Sequence, residues 1–251
     1  MRILAKSDIG KAREMNQDSY YVSDLEKDDI KLYILADGMG GYKGGEIASK
    51  VAVASARDYI RANFESCKKD KESILDLLER AVHVANDAVY EKSREDEELH
   101  DMGTTLDICL LYNNKVFIGH IGDSRVYRIR KNIIRKLTTD HSYVEKLVKE
   151  GTITKEEAYN HPKKNMLMKA LGCSNIVEPD VICKGFFKDD ILLMCSDGLT
   201  NMLRDNEIYN LLLKHPNNPV ESLINNANDL GGYDNITVII VDNIDVSDDE
   251  N

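Results

Sequence analysis

The sequence predicts an α+β fold in which antiparallel strands are covered by helices. Apolar runs of strand length follow one another closely, with turn residues such as Asn113-Asn114 between them. Two longer windows instead repeat apolar residues at helical spacing. Two late runs, "DILLMC" and "NITVIIV", are continuous in Ile, Leu and Val, as strands buried on both faces are.

In chain order, "YYV" and "KLYILA" read as the first strands. A helix is expected from about Glu46 to Phe64. A second is expected from about Ile74 to Lys92, where Ile74, Leu77, Leu78, Ala81, Ala85, Ala88 and Val89 share one face that can cover a sheet. "LDICLLY", "KVFIGHI", "RVYRIR" and "IIRKLT" follow as strands whose short connections make antiparallel neighbours. "SYVE" (Ser142 to Glu145) and "TKEE" (Thr154 to Glu157) both fit a capping box, and Gly151 separates them, which predicts two short helices. The two continuous late runs are candidates for the middle of a sheet. Between them, Asn218 is placed as an N-cap with Pro219 at the first helical position.

A chain of 251 residues without a Pro-, Gly- or Ser-rich linker reads as one domain over residues 1–243, followed by an acidic tail, 244–251, expected to fray. Hydrophobic residues at 42% suffice for a core, and charged residues at 31% describe an ordinary solvated surface. Lys+Arg 33 against Asp+Glu 44, a net charge of -11, opposes binding to a phosphate backbone, so no nucleic-acid partner is expected. No uncharged apolar run is long enough to span a bilayer, and the expected setting is the cytoplasm, away from membranes. Five scattered cysteines without a Cys-x-x-Cys pair read as reduced packing residues.

Five acids mark strand ends. Asp18 precedes "SYYV", Asp37 follows "YILA", Asp123 precedes "SRVYRIR", Asp197 follows "LLMCS" and Asp234 precedes "NITVIIV". Taken singly, an acid beside Gly or Asn more often caps a turn. Gathered at one rim of a sheet assembly, the five would repel one another unless hard cations neutralised them, which points to magnesium or manganese; no His/Cys pattern suggests zinc. The glycines after Asp37 fail as a dinucleotide fingerprint, because position 43 is Lys43, and no Gly-Lys-Ser/Thr follows. Their roles are then a tight turn, or a backbone carbonyl free to approach a metal.

The ordered motifs "GKAREMNQD", "ADGMGG", "MGTTL", "GDSRVY", "TTDHS", "SDGLT" and "DNITVI" resemble those of the metal-dependent protein serine/threonine phosphatases, the protein phosphatase 2C family, and most closely its compact bacterial members. The likeness runs from about Lys6 to Val241. It implies a four-layer α-β-β-α sandwich, two antiparallel sheets flanked by helices on both outer faces. It also implies that Asp37 bridges two Mn2+ or Mg2+ ions, that Gly38 offers its carbonyl, that Asp197 and Asp234 complete the pair, and that Asp18 is a ligand or holds a water. Asp123, with Asp197, matches a third, weaker metal site. Two divalent ions roughly 3.5 to 4 Å apart acidify a shared water and stabilise the oxygens of an in-line displacement at phosphorus, so no protein nucleophile is needed. Arg13 matches the arginine that holds the substrate phosphate, a role suited to a planar fork.

Two positions depart from the eukaryotic pattern. Met39 stands where a proposed general-acid histidine would be, which leaves metal-bound water or solvent to supply the leaving-group proton, and Gln17 replaces a glutamate. His83, His100 and His215 read as solvated, His120 as a satisfied core residue and His141 as structural. The segment from about Tyr143 to Lys169 resembles a mobile flap beside the active site, where Lys163 and Lys164 either meet a phosphoprotein or form a solvated face. The implied function is hydrolysis of phosphoserine and phosphothreonine on proteins by a monomer that opposes a serine/threonine kinase. An inactive, partner-binding relative and a phosphatase of small metabolites are the alternatives.

Overall fold

The structure, a computed structural model, describes residues 1–242 except 25, 27, 29 and 41–43, so the expected tail lies outside the described residues. Strands β1 (Arg2–Asp8), β2 (Asp18–Val22) and β3 (Lys31–Met39) precede the long helices α1 (Gly44–Asn63) and α2 (Lys71–Ser93). The strands β4 (Gly103–Thr104), β5 (Leu106–Tyr112), β6 (Lys115–Ile121), β7 (Arg125–Arg130) and β8 (Ile133–Lys136) come next. Short helices α3 (Tyr143–Lys149) and α4 (Lys155–Tyr159) lead to β9 (Asp180–Gly185) and β10 (Ile191–Cys195). Helices α5 (Asp197–Thr200), α6 (Asp205–Lys214) and α7 (Pro219–Asp229) and strand β11 (Ile236–Asp242) complete the described chain.

Two antiparallel sheets form, one ordered β1-β11-β10-β7-β8 and the other β2-β3-β5-β6-β9 with β4 paired to β3. The continuous apolar runs fall where both faces of a strand are covered. In β3, Leu32, Ile34 and Ala36 pack toward α1 and α2 while Tyr33 and Leu35 fill the gap between the sheets. In β10, Leu193 and Cys195 face α6 and α7 while Leu192 and Met194 face the other sheet. Each such fully buried side chain contributes about 1.5 to 3 kcal/mol, which is why polar residues are excluded from these runs. The layers are therefore helix, sheet, sheet, helix. As expected, β10 and β11 are central to their sheet.

The hairpins follow local backbone chemistry. Asn113 and Asn114 between β5 and β6, and Lys131 and Asn132 between β7 and β8, all adopt positive φ, the conformation a two-residue turn matched to strand twist requires. Helix α2 starts earlier than its apolar repeat suggests, because the Asp70 side chain accepts from Ser73 N–H and caps it there.

Several elements lie beyond the sequence expectation, the short β4 and α5 among them. Strands β1 and β9 close sheet edges with no fully buried residue, so neither carries a long apolar run. Helix α6 lies in the stretch between "DILLMC" and Asn218 for which no element is expected. The expected pair of capping boxes is half right. Thr154 and Glu157 bond reciprocally, whereas Ser142 only accepts from Glu145 N–H, the Glu145 carboxylate turning toward Lys136 at 3.8 Å instead. Among the described residues no helix is long and apolar enough to cross a membrane.

Candidate metal centre

The sheet ends that carry the five acids meet. Asp18 opens β2 and pairs in register with Asp37 on β3. Two carboxylates directly opposite on neighbouring strands repel one another. Across the gap between the sheets, Ser196 Oγ and Thr237 Oγ1 donate to Asp18 Oδ2 at 2.8 and 2.6 Å. The other oxygen, Asp18 Oδ1, is buried with no hydrogen-bond partner. Burial, followed by the charges of Asp197 and Asp234, pushes the Asp18 carboxyl up to about 7 in spite of the two hydroxyls.

Asp37 is held through its backbone. Its N–H donates to Thr105 Oγ1 and its carbonyl accepts from Thr104 Oγ1 and from Thr105 N–H, each at 2.9 Å, so "MGTTL" braces the acid of "ADGMGG". Burial raises its carboxyl well above the usual range, reinforced by Asp18, Asp197, Asp123 and Asp234. Next to it, a Cβ on Gly38 would lie 2.1 Å from Gly45 O and 2.5 Å from Gln17 O. Only glycine admits this approach of three chain segments. Gln17 helps seal it, donating its N–H to Asn235 Oδ1 and accepting from Gly38 N–H.

Asp197 begins α5, and Asn201 Nδ2, one turn on, donates to its Oδ2 at 2.9 Å. Its carboxyl is pushed up to about 6, by burial first and then by Asp234, while hydrogen bonds to Asp37 and Asn201 pull it back. Asp123, in the turn between β6 and β7, is raised well above its ordinary value by burial and then by Asp197 and Asp140. Asp234 Oδ2 accepts from Arg13 Nη2 at 2.8 Å. That bond raises the guanidinium further, and 51% of the Arg13 side chain stays exposed above the site. The loop bearing Arg13 is pinned by Asn235 Nδ2, which donates to Ile9 O and Met15 O, and by Lys11 and Ala12 N–H groups donating to Gly232 O.

The structure thus brings all five predicted acids, Gly38 and Arg13 to one end of the two sheets. Among the described residues, no three His, Cys, Asp or Glu side chains already close on one point as a ready cage for an ion. The donor set nevertheless suits a hard divalent cation, being all oxygen, mutually repelling and carrying an orphaned buried Asp18 Oδ1. Met39 ends β3 with its methyl against Gly103, and offers no proton donor. His120 is satisfied in the core by Asp107 Oδ1 at 2.7 Å and Thr139 O at 3.0 Å, and His141 Nδ1 accepts from Gly122 N–H, next to Asp123.

Sequence reasoning left out the partners of these acids. Ser196, Thr237, Asn201, Asn235, Thr104 and Thr105 hold the carboxylates or their strands, and all but Asn201 lie inside the motifs that drew attention to the acids. Polar residues placed beside such acids on otherwise apolar strand ends were the available signal.

From Asp123 and Asp197 a groove of about 700 Å³ runs outward between the segment carrying α3 and α4 and the corner of α5 and α6. Neither α3 nor α4 buries a residue. Their hold on the corner is polar, with Arg204 forming a bidentate pair with Glu156 at 2.6 and 2.7 Å and Tyr159 OH donating to Asn201 O at 3.3 Å.

The family described as protein phosphatase 2C matches residues 10–226. The serine/threonine phosphatase stp of Listeria monocytogenes serotype 4b (strain F2365) is 37% identical over 239 residues, 94% of each chain. The solved S. agalactiae serine/threonine phosphatase is 36% identical over 96% of this chain and 98% of its own, with a TM-score of 0.86. The catalytic domain of serine/threonine protein phosphatase PstP, solved in complex with 2 manganese ions, is 34% identical over 96% of this chain and 97% of its own, with a TM-score of 0.83.

Proposed function

The chain belongs to the protein phosphatase 2C family, and on that premise we propose that it is a metal-dependent phosphatase of phosphoserine and phosphothreonine in proteins. The observation that carries this reading is the convergence of Asp18, Asp37, Asp123, Asp197 and Asp234 from separate strand ends, with the carboxyls of Asp18, Asp37, Asp123 and Asp197 raised by burial and by neighbouring acids. Manganese or magnesium is the cofactor, as in the manganese-bound relative.

We assign Asp18, Asp37, Asp197, Asp234 and the Gly38 carbonyl to two core ions, and Asp123 with Asp197 to a weaker third. When bound, these ions supply an acidified water and positive charge against the phosphoryl oxygens. Ser196 and Thr237 keep Asp18 aimed inward, and Asn201 does the same for Asp197. Arg13, anchored by one nitrogen on Asp234 and otherwise half in solvent, receives the substrate phosphate with its planar fork. With Met39 in place of a histidine, the proton for the departing serine or threonine oxygen comes from water admitted along the groove.

The α3 and α4 segment, residues 143–169, acts as a flap over the groove, in keeping with its lack of buried side chains. All five cysteines are free, which supports a reducing, cytoplasmic setting. The enzyme acts as a monomer on phosphoproteins and opposes a serine/threonine kinase. All five acids are present, which disfavours an inactive binding relative.

Phosphate release from a phosphothreonine peptide, with chelator, magnesium or manganese, tests the proposal. Release that requires metal supports it, and no release with either ion contradicts it.

A further inference from the structure

Beyond Asp123 and Asp197, the groove leading from them is lined by six cations against four acids. Its acids beyond the metal centre are already engaged within the protein. Asp140 takes Arg125 through two nitrogens and Lys136 at 2.9 Å, and Glu145 also approaches Lys136. Glu156 takes Arg204, and Asp205 accepts from Tyr127 OH at 2.8 Å in the first turn of α6.

Three cations lining the same groove have no such partner. Among the described residues, Arg135, Lys155 and Lys164 form no ion pair, and Lys164 only approaches the Tyr159 ring at 5.5 Å. Arg135 lies directly across the β7–β8 ladder from Arg128, so it meets a like charge there rather than a carboxylate. In a chain of net charge -11 this is a local patch of opposite sign, contiguous with Asp123 and Asp197 of the proposed metal centre. At about 700 Å³ the groove is also far larger than one phosphorylated side chain needs, and it has room for several flanking residues.

We propose that this groove seats the peptide segment flanking the phosphorylated residue, and that Arg135, Lys155 and Lys164 select substrates with acidic flanking side chains. The proposal rests on the phosphatase reading. The preference is electrostatic and exposed, so it acts mainly on substrate capture and weakens with salt.

Matched phosphothreonine peptides with acidic or basic flanks test it, with p-nitrophenyl phosphate as a substrate too small to use the groove. At low salt the wild-type enzyme is expected to favour the acidic peptide by roughly ten-fold in kcat/KM, the scale of three exposed pairs acting together, with the difference in KM. The triple variant Arg135→Glu, Lys155→Glu, Lys164→Glu is expected to reverse that ratio. The triple variant with Gln at the same positions, which keeps side-chain bulk, is expected to bring it near one. Equal kcat/KM for both peptides in the wild type, or an acidic preference retained in both variants, would overturn the proposal while leaving the phosphatase reading in place. A wild-type protein that turns over neither the peptides nor p-nitrophenyl phosphate with manganese would remove the premise itself.

Discussion

Asp18 and Asp37 face each other across the β2–β3 ladder, two carboxylates in direct register at the rim where the sheets meet. One oxygen of Asp18 is held by hydroxyls from the other sheet and the second has no partner at all. A pair so placed is stable only when protons or cations sit between the charges, and the two occupants compete. The functional state of the site and the stability of the fold are thereby linked.

That linkage has a definite sign. Folding raises Asp18 from its ordinary 3.8 to about 7 and Asp197 to about 6, with Asp37 and Asp123 moved the same way. Over this interval the chelated folded state binds more protons than the unfolded chain, so its stability is full at the acid end and is lost as pH rises through the folded values. Manganese displaces those protons, so the stabilisation it adds over the chelated state should grow across the same interval. Melting temperatures measured between about pH 5 and 8 should fall with rising pH in chelator and stay nearly level with manganese, because the loaded site and the unfolded chain are both deprotonated there. Parallel slopes would mean that these acids do not bind the ion.

Substitutions among the acids should separate core from periphery. Asp37→Asn and Asp197→Asn remove assigned ligands and are expected to lower manganese-dependent turnover by more than about 100-fold, beyond the roughly 10 to 100-fold typical of losing an outer partner. Asp123→Asn removes a ligand assigned only to the proposed weaker site and should reduce turnover less. Steady-state kinetics at saturating manganese, with circular dichroism as the check on folding, decides both.

Asn201 gives a finer test, because its amide touches Asp197 and its carbonyl receives Tyr159 OH from α4. Asn201→Ala should weaken manganese affinity by about 10 to 100-fold as an outer partner of a ligand. Titration of the metal followed by activity and by calorimetry would show it. Unchanged affinity would reduce Asn201 to a helix-packing residue.

Gly38→Ala should damage the fold at the site rather than the chemistry alone. The added methyl lands on the backbone oxygens of Gly45 and Gln17, which cannot swing away as a flexible side chain would. A loss of about 3 kcal/mol or more is expected, at the upper end for overpacking. Denaturant unfolding of the chelated variant reads it directly.

The central strands were legible because β3, β10 and β11 are covered on both faces and must be apolar throughout. Edge strands β1 and β9 were not, since half-exposed positions tolerate Lys, Ser and Gly and leave little pattern. The acids stood out for the related reason that charge at the end of an apolar run demands a partner. Their hydroxyl and amide partners stayed hidden because the contacts are remote in sequence: Ser196, between β10 and α5, and Thr237 on β11 reach Asp18 from the other end of the chain. Likewise, the Glu156–Arg204 pair that closes the outer groove joins two elements whose meeting no local pattern records.

The most direct test of the central claim is anomalous diffraction at the manganese edge from crystals grown with that ion. Two strong peaks among Asp18, Asp37, Asp197 and Asp234, both lost in Asp37→Asn crystals, are the result the account predicts. Manganese bound elsewhere, with these four carboxylates contacting only water or one another, would contradict it.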